Sequence, residues 1–115
     1  MIKTVHIDGR EVTFKSTAAT ALRYKQQFNS DFFADMVRLS PIAQFAGQKE
    51  VPAEVLQQLD FEVFYNILWT MARTADPTLP DPIAWLDTFE EFPVFDILPE
   101  VQDLLAKTLS MSKKK

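Results

Sequence analysis

Cysteine is absent from the 115 residues, which excludes a disulfide scaffold, thiolate catalysis and cysteine-ligated zinc or iron–sulfur centres. Histidine occurs once, at His6, so a metal site or a catalytic triad would have to be built without a second imidazole. The two glycines, Gly9 and Gly47, are too few for a loop that cradles phosphate. No apolar run approaches the ~18 residues of a membrane span. The opening Met1-Ile2-Lys3-Thr4-Val5-His6 lacks the apolar region of a secretory signal. Together these predict a soluble intracellular chain with no membrane partner. Basic side chains are scarce in the second half: residues 51–110 hold Arg73 and Lys107 against eleven acids. With net charge −4 overall, attraction to nucleic-acid phosphates is disfavoured, and no nucleic-acid partner is expected.

What is present is bulky and apolar. Ten phenylalanines and two tryptophans in a 47% hydrophobic chain provide core material for one domain, which at this length buries roughly two-thirds of its unfolded surface. The reading is one domain over residues 1–112 followed by a flexible basic tail, 113–115. The charge is divided: residues 1–50 carry seven basic and five acidic side chains, in contrast to the acidic stretch that follows. That division reads either as an acidic solvated face or as different surroundings for the two halves.

Hydrophobic periodicity predicts an α+β fold, mostly α-helical, with an N-terminal β-hairpin followed by about four to six short helices. Asp8-Gly9 is a type I′ turn pair, with Val5, Ile7, Val12 and Phe14 on one apolar face. A lone hairpin is marginal in water, so that face must pack on helices or on another chain. Ser16-Thr17 can cap a helix from about Ala18, and Asn29-Ser30-Asp31 breaks and recaps a second that runs to about Leu39. Pro41 to Pro52 reads as loop with a short helix around Ile42–Phe45. The clearest helix runs from Asp60 to about Thr74, preceded by a helical turn at Ala53–Leu59, with Phe61, Phe64, Ile67, Leu68 and Met71 at helical spacing. Asp81-Pro82 starts a short helix to Glu91. The last helix is expected from about Pro99 to Leu109, with a frayed end from Ser110.

His6 falls mid-strand on the polar face and has no partners for a ligand set. Asp87, Glu90 and Glu91, at i, i+3 and i+4, would share a helical face. They read either as a solvated acidic face or as acid–base or divalent-cation ligands, the latter without a glycine-bent loop or nearby basic group in support. No catalytic set, metal site or cofactor site emerges, and the expectation is a protein that is not an enzyme. Trp85, Phe89, Phe92 and Phe95 form an aromatic run interleaved with Asp87, Glu90, Glu91 and Asp96. That run is either ordinary core or a protein-binding surface, where aromatics inside a charged rim carry most of the affinity. With Trp69, these four are the candidate partner-binding residues.

Two blocks carry a resemblance. Asn66-Ile67-Leu68-Trp69-Thr70-Met71-Ala72-Arg73-Thr74-Ala75-Asp76 and Trp85-Leu86-Asp87-Thr88-Phe89-Glu90-Glu91-Phe92-Pro93-Val94-Phe95-Asp96-Ile97-Leu98 resemble the tail assembly chaperones of long-tailed phages and prophages of Gram-positive bacteria. The hairpin start and the length agree. The resemblance implies a non-enzymatic, self-associating protein of the bacterial host cytoplasm, absent from the mature virion. It would bind the helical tape measure protein and keep it soluble until the tail tube assembles. It also implies a longer product, made by ribosomal frameshifting, that recruits the tail tube protein. Lys113-Lys114-Lys115 fits A-rich, slippery codons and equally fits a solubilising tail. Two alternatives stand beside this reading: a structural tail or connector component retained in the particle, and an acidic host-takeover or DNA-mimic protein.

Overall fold

In a computed structural model that describes residues 1–39, 52–58 and 60–113, the chain begins with two paired strands. Ile2–Ile7 (β1) and Arg10–Lys15 (β2) run antiparallel with Val5 opposite Val12 and Lys3 opposite Phe14. Directly opposed residues share a face of the sheet. Val5, Ile7 and Phe14 are therefore buried on the same side, with Val12 half-buried beside them. The other side is polar: the Thr4 and Thr13 hydroxyls lie 3.0 Å apart, and His6 Nε2 lies 3.3 Å from Glu11.

The turn has Asp8 at φ 54° and Gly9 at φ 77°, the two positive angles a type I′ turn requires. A Cβ at Gly9 would meet nothing within 4 Å, so substitution there strains the backbone alone. Gly9→Ala is expected to cost about 1–2 kcal/mol in urea unfolding. Gly9→Asn, whose side chain tolerates that region, should lose distinctly less.

Helices Thr20–Phe28 (α1) and Phe32–Arg38 (α2) follow. The expected start of α1 at Ala18 is corrected by two residues. The Thr17 hydroxyl accepts from the Ala19 N–H at 3.1 Å, while the Thr17 N–H donates to Thr20 Oγ1 at 2.8 Å, forming a polar turn ahead of the helix. Ser16 caps nothing there. It is buried, and its hydroxyl accepts from Thr108 Oγ1 at 2.8 Å. Asn29, left-handed at φ 55°, ends α1, and Asp31 caps α2 by accepting from the Ala34 N–H at 2.8 Å. The loop expected at Pro41 to Pro52, with its helix at Ile42–Phe45, lies almost wholly outside the described residues.

After Ala53–Gln58 (α3) comes the central helix, Phe61–Ala75 (α4), capped by Asp60 Oδ1 accepting from the Val63 N–H at 3.3 Å. Phe64, Ile67, Leu68 and Met71 on α4 are fully buried. β2, α1 and α2 all pack against α4. The proline-rich segment beyond it is pinned back: Trp69 Nε1 donates to the Pro80 carbonyl at 2.8 Å and Arg73 Nε to the Pro77 carbonyl at 3.0 Å.

The last two helices differ from expectation. Pro82–Leu86 (α5) begins as predicted, with Asp81 Oδ1 accepting from the Ala84 N–H at 2.8 Å, but stops well short of Glu91. The Thr88 hydroxyl donates to the Trp85 carbonyl at 2.6 Å, and Asp8 Oδ2 on the hairpin turn accepts from the Glu90 N–H at 3.0 Å. Backbone groups that would have continued the helix are thus satisfied elsewhere. Asp87, Glu90 and Glu91 are exposed beyond the helix rather than aligned on one of its faces.

The final helix, Val94–Lys113 (α6), starts five residues early and carries Pro99 inside it. An interior proline costs about 3 kcal/mol, whereas each fully buried Val, Leu or Ile contributes about 1.5–3 kcal/mol. Val94, Ile97 and Leu98 are all buried by the extra turn, together with Val101, Leu104 and Leu105 further along, so burial outweighs the break. The helix also continues past Ser110, where fraying was expected. α6 packs against β1 and α2. No helix among the described residues is long and apolar enough to cross a membrane.

Candidate functional site: a half-buried aromatic strip

The five aromatic residues singled out in the sequence do not form one surface. Trp69 is 3% exposed, and its ring packs on Phe28 of α1 with centroids 5.7 Å apart. Trp85 and Phe89, 4% and 8% exposed, pack edge-to-face at 5.3 Å, and Phe92 touches both at 5.7 and 5.4 Å. The Arg10 guanidinium lies 3.9 Å from the Phe89 ring centroid and donates to Thr88 Oγ1 at 2.8 Å. The hairpin thus closes over Phe89. Expectation and structure part here: Trp69, Trp85 and Phe89 are core side chains whose rings are used up within the chain, and Phe92 and Phe95 remain half-buried.

Those two rings have neighbours on α4, Phe61 from its apolar stripe and Tyr65 beside it. Phe61 and Tyr65 sit at i and i+4 on the first turns of α4, so their side chains lie on one face. Phe61 meets Phe95 edge-to-face at 6.1 Å, and Tyr65 meets Phe92 at 5.6 Å. All four are partly buried against the core. The two ring pairs, one helical turn apart along α4, make an aromatic strip where the start of α4 runs beside residues 92–95. Exposed Glu62, Glu91 and Asp96, each adjacent in sequence to one of these rings, supply an acidic rim.

The signal that could have found Phe61 and Tyr65 is the width of the apolar stripe on α4. Phe61, Tyr65 and Trp69 continue at four-residue steps beside the stripe of Phe64, Ile67, Leu68 and Met71, so α4 has more apolar surface than one core face needs. Which part of that excess stays uncovered depends on where the 91–95 segment crosses it, and periodicity carries no information on that crossing.

Chemically the strip offers apolar ring faces and edges inside carboxylates, which suits side chains from an amphipathic helix with basic flanks. Among the described residues no three His, Asp or Glu side chains gather closely enough to hold a metal ion. A cleft of about 390 Å3 lies between β2, the end of α4 and the Trp85–Phe89 pair, with Arg10, Glu11 and Asp76 at its walls. Comparison with protein-family models, with curated proteins and with solved structures finds no match to the chain.

Proposed function

We propose that this chain is a tail assembly chaperone: a non-enzymatic protein that holds the helical tape measure protein soluble in the host cytoplasm until the tail tube is built around it. The observation that carries the reading is the half-buried aromatic strip of Phe61, Tyr65, Phe92 and Phe95 within its acidic rim. It matches the apolar stripe and basic flanks of a long amphipathic helix. Phe92 and Phe95 also lie in the sequence block that resembles this family. A small domain bound in many copies along one rod needs only a modest contact per copy, because neighbouring contacts raise the effective concentration of the next. A longer frameshifted form that recruits the tail tube protein belongs to the same proposal.

The test is co-expression with the neighbouring genes, followed by affinity capture and mass spectrometry. Recovery of a long helix-rich protein that is insoluble alone supports the chaperone. Recovery of a nuclease or polymerase instead favours an acidic mimic, and detection of the chain in purified virions favours a structural component. The strip makes a sharper prediction. Loss of one central aromatic contact removes about 2 kcal/mol of binding, or about thirtyfold in affinity. Phe95→Ala should therefore weaken capture by that factor with the helical circular dichroism retained, while Ile83→Ala, on the exposed side of α5, should not change it.

A further inference from the structure

The cleft of about 390 Å3 beside Trp85 is walled on one side by Arg10, Glu11, Val12 and Thr13. Side chains alternate between the two faces of a strand, so a recess bordered by consecutive residues runs along the strand's edge. The ladder shows which backbone groups that edge presents. The Ser16 N–H donates to the Met1 carbonyl at 2.8 Å, which makes Met1–Ser16 a hydrogen-bonded pair. Such pairs alternate along an antiparallel ladder, so Lys3–Phe14, Val5–Val12 and Ile7–Arg10 exchange bonds as well. Glu11 and Thr13 therefore turn their N–H and C=O groups away from β1, towards the cleft. None of these groups has a hydrogen-bond partner among the described residues.

The facing wall is apolar, with Ala72 and Ala75 at the end of α4 and Leu79 and Trp85 beyond them. Its small alanines leave room next to the strand. The rim is acidic. Asp76 is exposed, and the Thr78 hydroxyl, then its N–H, donate to Oδ1 at 2.6 and 3.1 Å and hold the carboxyl below its ordinary range. Glu11 is exposed with His6 beside it, 3.3 Å from Oε2. Arg10, the cation at this cleft, is already engaged by Thr88 and the Phe89 ring. The hairpin's other edge is different. Lys3 stands on the apolar face of β1, 4.0 Å from Glu100, and an inward-pointing charge blunts a strand edge.

We propose that the edge of β2 receives an extended segment of another protein as a further antiparallel strand, with basic side chains facing Glu11 and apolar ones over Ala72 and Ala75. Antiparallel pairing is the more stable per residue. Residues opposite Glu11 and Thr13 exchange backbone bonds with them and share their polar face, while the residue opposite Val12 shares the apolar one. The segment therefore alternates basic and apolar residues, a pattern that no helical stripe has. Phe61 and Tyr65 lie at the opposite end of α4, so this docking edge stands whether or not the chain meets a tape measure protein.

The probe is an acetylated and amidated heptapeptide alternating lysine and valine, with lysine at both ends, titrated into the isotope-labelled chain. Amide exchange at Glu11 and Thr13 should slow about tenfold or more at saturation, while the Val12 and Phe14 amides, already in the ladder, stay protected throughout. Methylating the lysine amides removes the donors that face β2 at unchanged charge, and should abolish binding. Methylating the valine amides, which face away, should leave affinity within about twofold. A peptide alternating glutamate and valine should bind about tenfold more weakly or worse. On the chain, Thr13→Pro deletes an outward N–H that the ladder does not use and should weaken binding about fivefold with circular dichroism retained. Phe95→Ala should leave peptide binding unchanged. Equal binding of the two methylated peptides, as simple charge attraction would give, overturns the inference. Glu11 and Thr13 amides unaffected by the peptide overturn it too, as does protection there before any peptide is added, which would place a second copy on the edge.

Discussion

Replacing Asp35 by alanine is expected to lower stability by about 3–5 kcal/mol, since it removes two hydrogen bonds to a charged acceptor worth about 1.5–3 kcal/mol each. Asp35 is 5% exposed on α2, and its Oδ2 accepts from the Tyr24 hydroxyl at 2.8 Å and from Ser30 Oγ at 2.7 Å. Arg38 Nη1 lies 3.5 Å from its Oδ1, while Nη2 of the same arginine reaches Asp60, the cap of α4, at 2.8 Å. One carboxyl therefore ties α1, the connection to α2 and the start of α4. Its removal leaves the buried Tyr24 hydroxyl without an acceptor, and each orphaned buried polar group costs about 1–3 kcal/mol. A fall in Tm of about 10 °C or more should follow. Asp35→Asn keeps an acceptor oxygen and should lose less. A change below about 1 kcal/mol for Asp35→Ala would show that these bonds contribute little beyond what water supplies.

The same network sets an alkaline limit. Burial, and secondly the hydrogen bond to Asp35, push the Tyr24 phenol above its ordinary value. The folded state therefore holds the phenolic proton more tightly than the unfolded chain does. That contribution is fully present below the ordinary tyrosine value of about 10 and is lost as pH rises through it towards the raised folded value. Urea midpoints measured on either side of that value should show the decline.

Phe14→Ala should be comparably severe, about 3–5 kcal/mol, for a different reason. Phe14 is fully buried, and it anchors the hairpin to α4, against which β2 packs. A two-stranded hairpin is at best marginally stable in water by itself. Losing its largest apolar anchor should release it as a unit, together with the Asp8 and Arg10 contacts that hold residues 88–90. Val12→Ala, at a half-buried position on the same face, should lose far less. Amide exchange reads the difference: hairpin protection should collapse in Phe14→Ala and persist in Val12→Ala. Hairpin amides still protected as in wild type would mean that the Val5 and Ile7 contacts hold the sheet by themselves.

Much of the fold was legible in residue order because its signals are local. Asp8-Gly9 specifies a turn through the φ angles it tolerates, and Asp31, Asp60 and Asp81 cap helices through a side chain reaching three residues on. The failures came where a distant group intervened. α5 stops at Leu86 because Thr88 and, from across the chain, Asp8 satisfy the backbone that a longer helix would have used. α6 runs through Pro99 because three buried side chains ahead of it outweigh a lost hydrogen bond.

The candidate site divides along the same line. Apolar and aromatic bulk at helical spacing already determined that α4 would be central, that the hairpin would need a neighbour, and that aromatic side chains would cluster around residues 85–95. Whether a given ring became core or surface was decided by tertiary structure. Trp69, Trp85 and Phe89 are covered by α1, by the hairpin and by one another, while Phe61, Tyr65, Phe92 and Phe95 keep an open edge. Periodicity specifies the direction of a side chain around its own axis, but its exposure depends on what the rest of the chain lays against it.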